Sequence, residues 1–363
     1  MSTLYSRFAT LAALAFAVSS LFVGCGGSGG DQKDELDEPS VDKVAFARGA
    51  DVSWASEMEY DMTHNPSRIG GTAFKDSKGN AGLYPVLKAA GINATRLRVW
   101  VRPEDPNGWS GKEDVVRMAK RAAEAGMAVM IDFHYSDFFA DPSRQNTPSE
   151  WSGLNLNGLC AKVAEHTRNV LTALKSAGVT PLWVQVGNET RPGMLWETGR
   201  LYNDKGEISG GWSNYAALSN AGYDAVKSVF PAAKVIIHID NAYQDNTWFF
   251  DKLKAAGGKF DMIGLSHYPM TNPSMTWKAM NSSAILNIKS LAAKYGCRVM
   301  VCEVGVKNTA SDLAASTLCM TEFMNSVKSL SVCAGVFYWE PQVDGKWRPS
   351  IYERPDRDWG AYN

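Results

Sequence analysis

A surplus of charge of either sign is missing from this sequence: Lys and Arg total 37 against 38 Asp and Glu, a formal net charge of -1. Such a chain carries no field with which to gather phosphate backbones, so nucleic-acid binding is not expected. Cysteine pairs at metal-ligand spacing are also lacking. Besides Cys25 the chain has Cys160, Cys297, Cys302, Cys319 and Cys333, none in a Cys-x-x-Cys pair, and its five His are scattered. A zinc site has no support in that pattern, and no metal or cofactor is expected. The odd number of thiols left after Cys25 favours buried free cysteines, with a Cys297–Cys333 disulfide as the alternative; Cys297 and Cys302 lie at opposite ends of one expected strand and cannot bridge. No Gly-x-Gly-x-x-Gly loop follows the first expected strand, which argues against a dinucleotide-binding sheet. No Pro- or Ser-rich linker interrupts the chain after Val41, which favours one folded unit from there on.

Long hydrophobic runs are scarce. The stretch from Ala9 to Gly24, behind Arg7, is short for a membrane span and reads as an export signal. It ends in Leu21-Phe22-Val23-Gly24-Cys25, which resembles a bacterial lipobox, in which a cysteine is lipidated and becomes the mature N-terminus. From Gly26 to Asp42 the chain is rich first in Gly and then in Asp and Glu, too poor in apolar surface to fold, and an acidic tether after the cysteine resembles surface-export signals of some Gram-negative lipoproteins. The expected organisation is a lipoprotein signal peptide at 1–24, a flexible acidic tether at 25–42 lipidated on Cys25, and a folded domain at 43–363. The expected location is the outer membrane or cell surface of a Gram-negative bacterium, with a membrane partner reached through the lipid and a monomer as the default.

The sequence does contain a core: 45% of residues are hydrophobic, and the 12 Trp exceed what a small core needs. After the tether one rhythm repeats, a short apolar run, a polar loop and an amphipathic segment. Strands are expected at Phe46–Val52, Thr95–Val101, Ala128–Tyr135, Leu182–Gly187, Lys234–Ile239, Met262–His267, Arg298–Val304 and Ala334–Trp339, with helices such as Glu113–Ala125 and Tyr215–Val229 between them. Gly91, Gly126, Gly178 and Gly296 stand just before strands and suit helix C-terminal caps. Eight such units imply an α/β fold of one (β/α)8 barrel.

In a barrel of this kind chemistry gathers at the C-terminal strand ends. There the sequence places Asp51, Arg96, Arg98, Trp100, Asp132, His134, Asp137, Asn188, Glu189, His238, Asp240, Ser266, His267, Tyr268, Glu303 and Trp339. Glu189 ends the fourth strand and Glu303 the seventh. Hydrolysis of a glycosidic bond needs one carboxyl to protonate the leaving oxygen and another to attack the anomeric carbon. Glu189 is expected to be the acid/base, its pKa raised by a nearby carboxylate. Glu303 is expected to be the nucleophile, kept ionised by Arg98 and the hydroxyl of Tyr268.

The motifs then point further. Gly49-Ala50-Asp51-Val52-Ser53, Arg96-Leu97-Arg98-Val99-Trp100, Asp132-Phe133-His134-Tyr135-Ser136-Asp137 with Ala140-Asp141-Pro142, Gly187-Asn188-Glu189, Gly193-Met194-Leu195-Trp196, Tyr268-Pro269 and Tyr338-Trp339-Glu340-Pro341 together resemble the family 53 glycoside hydrolases. The resemblance spans most of the folded chain, and the Asp132–Asp137 run with Gln145, Pro148 and Trp151 is its most specific part. It implies a retaining endo-β-1,4-galactanase acting on galactan or arabinogalactan, with Glu189 as acid/base and Glu303 as nucleophile. It further implies that Asn188 holds a sugar 2-hydroxyl, that Arg98 and Tyr268 orient Glu303, that Trp339 stacks under a galactose ring, and that Asp51 and His134 line the pocket. Trp100, Asp137 and His267 complete the expected binding residues. Phe139 stands where the family usually has tryptophan, His267 where bacterial relatives often have tyrosine, and Asp240-Asn241-Ala242 departs from the usual fifth-strand end. The loop from Gly305 to Ser311 lacks an Asp-rich calcium cluster, so no metal is expected there, while Asp356 and Asp358 leave room for calcium elsewhere. The alternatives are another retaining glycanase of the same clan, a mannanase or cellulase, and, from another class, a non-catalytic glycan-binding lipoprotein.

Overall fold

The computed structural model describes residues 44–69, 74–75, 78–307 and 311–343. The signal segment, the tether with Cys25, Asp356 and Asp358 lie outside these residues, as does part of the Gly305–Ser311 loop.

Eight parallel strands close into a barrel: β1 (Ala47–Asp51), β2 (Ala94–Val99), β3 (Ala128–Phe133), β4 (Trp183–Val186), β5 (Lys234–Ile239), β6 (Met262–His267), β7 (Val299–Val304) and β8 (Cys333–Trp339). Each strand pairs with its sequence neighbours, and β8 closes on β1 through Ala47↔Gly335 to Asp51↔Trp339. Besides a single helical turn at Pro66–Ile69, the α-helices of the described residues are α1 (Ala55–His64) and α2 (Leu83–Ala89), both between β1 and β2, then α3 (Lys112–Glu124), α4 (Leu156–Ser176), α5 (Gly211–Val229), α6 (Thr247–Ala255), α7 (Trp277–Tyr295) and α8 (Leu313–Lys328). Asn155 caps α4 by accepting from Gly158 N, and Thr276 caps α7 by accepting from Ala279 N. Gly91, Gly126, Gly178 and Gly296 follow α2, α3, α4 and α7 with φ of 84°, 74°, 75° and 65°, the left-handed caps expected of them.

Alternation along the strands builds two layers. Outward residues such as Val99, Ile131, Val184, Ile237, Leu265 and Val301 pack beneath the helices. Inward residues near the strand starts, including Ala47, Ala94, Met130, Trp183, Ile236, Met300 and Phe337, fill the barrel floor. The fit is close at Gly49, where a Cβ would come 2.1 Å from Cδ1 of Phe337. Higher up, the inward positions turn polar, and they form the site.

The Cys297–Cys333 disulfide is not formed; both thiols are free, as are Cys160, Cys302 and Cys319. Register explains this, because Val299 and not Cys297 stands opposite Cys333. A two-residue offset along a strand is about 6.6 Å, and Cys333 Sγ turns instead toward Gly335 O at 3.7 Å.

Candidate active site

Arg96 organises the centre of the site. Its guanidinium, 1% exposed, lies 2.7 Å from Asp51, 2.8 Å from Asp132 and 2.9 Å from Glu303. It also donates to Asn188 Oδ1 at 2.8 Å and to Gln185 Oε1 at 3.2 Å. Burial alone would lower its pKa, but the surrounding carboxylates outweigh that and raise it well above the ordinary value. Asp132 shows the reciprocal balance: burial raises it, Arg96 and His134 outweigh burial, and its carboxyl lies below the usual range.

Glu303 reaches this centre through an irregularity in β7. Val299 and Val301 face the helices while Met300 and Cys302 face the barrel floor, so strict alternation would turn Glu303 outward. Between β6 and β7 the register shifts: Leu265 pairs with Val301, but Ser266 pairs with Glu303. The extra residue swings Glu303 inward, where Oε1 meets Arg96 and Oε2 accepts from Tyr268 Oη at 2.8 Å.

Glu189 comes from the turn that ends β4. Gly187 has φ 84° and Glu189 itself φ 47°, a conformation a side chain adopts only when its surroundings hold it there. The Glu189 N–H donates to His238 Nδ1 at 3.3 Å, and the Ser266 hydroxyl bonds its carboxyl. His238 Nδ1 also lies 2.9 Å from Gln185 Nε2 and 3.0 Å from Asn188 Oδ1, and its Nε2 lies 2.8 Å from Ser266 Oγ, so both ring nitrogens are engaged. Burial and the Arg96 charge keep this imidazole neutral, its pKa far below the ordinary value.

The two glutamates are therefore unlike. Burial lifts Glu189 well above the usual carboxyl range, and the charges of Glu303 and Asp240 lift it further. Burial also lifts Glu303, but Arg96 and Tyr268 restrain it to about 7. Glu303 loses its proton first and Glu189 keeps one. Activity that needs ionised Glu303 and protonated Glu189 rises as pH passes the Glu303 value and falls as it passes the Glu189 value, a bell-shaped profile of kcat/KM. Tyr268→Phe removes a bond that favours the ionised form, so the acidic limb is expected to move up by about half to one pH unit. An unmoved limb in the measured profile would assign it to another group.

The other expected residues divide. Asn188 donates to Ala140 O at 2.8 Å while its oxygen serves Arg96, which leaves its second amide hydrogen for a ligand. His134 accepts from Ala140 N at 2.9 Å on Nδ1 and meets Asp132 at 2.9 Å through Nε2, so its ring is fixed beside the centre. Trp339 is half-buried, 6.5 Å from the Phe139 ring. Asp51 is fully buried, bonded to Arg96 and Ser53, and supports the centre from beneath.

Four expectations are corrected. Arg98 does not hold Glu303: it pairs with Glu340 at 2.8 Å, with its guanidinium over Trp54, Phe139 and Trp100 at 4.1, 4.6 and 4.9 Å. Arg96, two residues lower on the same inward face, takes the role assigned to Arg98. His267 occupies an outward position of β6, where it bonds Asn281 of α7 at 2.8 Å and packs on Phe323 of α8, away from the cleft. Asp137 staples loops, accepting from Arg102 N and from Ser149 N and Oγ. Trp100 is buried behind Phe138 and Phe139 and supports that aromatic surface. Ser266 and Glu340 stand among the polar strand-end residues of the sequence without a role attached, and the structure supplies one: Ser266 bonds Glu189 and Glu340 pairs with Arg98. Gln185 is the residue the sequence reading passes over, although inward parity near the end of β4 is a signal for it.

Comparison with known proteins decides the family. The pattern of Glycosyl hydrolase family 53 matches residues 47–351. The chain belongs to that family. A Thermothelomyces thermophilus protein called arabinogalactan endo-β-1,4-galactanase is 35% identical over 314 residues, 80% of this chain and 88% of that protein. A Bacillus subtilis endo-β-1,4-galactanase is 30% identical over 82% of this chain and 70% of its own length. Among solved structures, a fungal β-1,4-galactanase is 32% identical with a TM-score of 0.69, covering 81% of this chain and 88% of the other. This glycoside hydrolase has its two candidate catalytic carboxyls in the turn after β4 and near the end of β7.

Proposed function

We propose that this glycoside hydrolase is a retaining endo-β-1,4-galactanase that cuts galactan or type I arabinogalactan into galacto-oligosaccharides. The observation that carries the reading is the unequal pair, Glu189 kept protonated by burial and neighbouring charge, and Glu303 held for ionisation by Arg96 and Tyr268. Membership of family 53 and relatives named for β-1,4-galactan cleavage support the substrate. In the first step a Glu303 oxygen attacks the anomeric carbon while Glu189 gives its proton to the departing O4, and a galactosyl ester on Glu303 forms. In the second, Glu189 takes a proton from water, the water oxygen attacks the same carbon, and Glu303 leaves as carboxylate. Two inversions give net retention. Asn188 would hold the 2-hydroxyl and Trp339 would stack beneath the ring being cleaved, with His134 beside it. Phe139 in place of tryptophan gives a smaller platform next to Trp339.

The export reading belongs here too: lipidation at Cys25 and a Gly- and Asp/Glu-rich tether would hold the domain outside the inner membrane of a Gram-negative cell, as a monomer. One preparation tests both parts. The full chain expressed in such a bacterium is expected in the membrane fraction and Cys25→Ser in the soluble fraction, and both are expected to release short galacto-oligosaccharides from linear β-1,4-galactan but nothing from mannan or cellulose. Cleavage of mannan or cellulose with galactan intact would discard the substrate, and a wild-type chain in the soluble fraction would discard the anchor.

A further inference from the structure

Strands β4 and β7, which carry Glu189 and Glu303, divide the ring into two arcs. The larger arc, β8, β1, β2 and β3, bears Trp339 and Phe139, already assigned to the sugar that Glu303 attacks, with Trp54, Trp100 and Phe138 packed around Phe139. The smaller arc, β5 and β6, begins beside Glu189, the group that protonates the departing oxygen. With the sugar that Glu303 attacks on Trp339 in the larger arc, the leaving part of a polysaccharide cut in its middle would pass Glu189 toward the smaller arc. Beyond His238, Asp240, Ser266 and Tyr268, which serve the two glutamates, the residues at the rim of that arc have been given no role.

Two residues beyond Glu189, Arg191 turns across the end of β5. Its Nε pairs with Asp240, and Nη2 donates to Asp240 O and, at 2.7 Å, to Asn246 Oδ1. The pair is fixed yet reachable, 16% and 14% exposed. The Arg191 guanidinium lies 6.0 Å from the ring of Trp248, near the start of α6. Phe249 and Phe250, the next residues of α6, are fully buried, whereas Trp248 is 37% exposed. Its ring is held at steep angles by Tyr202, Trp212 and Phe249, with centroids 6.2, 6.3 and 5.8 Å away, and none of the three stacks parallel to it. An indole held in place at the rim, with a charged donor at its side, matches the needs of a galactosyl ring: an apolar C–H face to lie on the indole and hydroxyls to accept from Arg191.

We infer that Trp248, with Arg191 beside it, is the platform for a galactosyl residue of the leaving chain. The inference rests on the galactanase reading above and adds its leaving side. The test compares two substrates, linear β-1,4-galactan and an aryl β-1,4-galactobioside whose leaving group carries no sugar. In Trp248→Ala the ratio of kcat/KM on galactan to kcat/KM on the aryl substrate is expected to fall about three- to tenfold, the scale of one aromatic contact, and Trp248→Phe is expected to recover most of it. An unchanged ratio, including one in which both rates fall together through a purely structural effect, would overturn the platform while leaving the galactanase reading intact. A wild-type enzyme that ignores galactan would overturn that reading and the galactosyl occupant with it.

Discussion

Glu303→Ala is expected to lower kcat on galactan by at least about 10⁴-fold, the scale on which loss of a covalent nucleophile is felt. The fold should survive, because the change removes one of the carboxylates around Arg96 and leaves Asp51 and Asp132 to hold it. Azide with an activated aryl β-galactobioside then separates the roles. In Glu303→Ala, azide enters the vacated face, attacks the anomeric carbon and expels the phenolate, giving an α-galactosyl azide. In Glu189→Ala, Glu303 still forms its ester and azide displaces it, giving the β-galactosyl azide, with the loss on galactan about 10²- to 10⁴-fold. A β-azide from the Glu303 variant would reverse the two assignments.

Arg96→Met carries the other large effect, and it is read first as stability. The substitution leaves Asp51, Asp132 and Glu303 buried around an apolar side chain, with Asn188 and Gln185 deprived of a donor. Breaking a buried pair by removing one partner costs about 3–5 kcal/mol, and here one cation serves several partners. Urea unfolding should show a loss of at least that size, and whatever protein remains folded should be nearly inactive, because Glu303 would no longer be restrained from taking up a proton. Arg96→Lys should recover part of the stability and little of the activity, since an ammonium cannot reproduce the planar fork that reaches the carboxylates and both amides together. An Arg96→Met protein as stable as the parent would show that the carboxylates redistribute their protons without cost. Arg98→Met offers the contrast: it disturbs Glu340 and the Trp54–Trp100–Phe139 cage but leaves the contacts of Glu303 in place.

Much of this protein is determined by the order of its residues alone. Apolar runs of strand length, separated by amphipathic segments and punctuated by Gly91, Gly126, Gly178 and Gly296, leave a closed parallel barrel as the economical way to bury both faces of every strand. Gly187-Asn188-Glu189 announces a carboxyl at the end of β4, because the turn there needs the conformational freedom of glycine: a Cβ at Gly187 would come 2.5 Å from Thr190 Cγ2. The tertiary structure decided matters of height, parity and register. Arg96 and Arg98 share one inward face, and no local pattern says which of them meets Glu303. The closed barrel sets Arg96 opposite Asp51 and Arg98 opposite Asp132, and directs the upper guanidinium to Glu340. His267 ends β6 on the face where chemistry gathers, yet strand parity turns it toward α7 and α8. Parity alone would have sent Glu303 the same way. A register shift against β6, a property of two strands together, brings it to Arg96, because a one-residue slip in a strand exchanges the face that every later side chain presents.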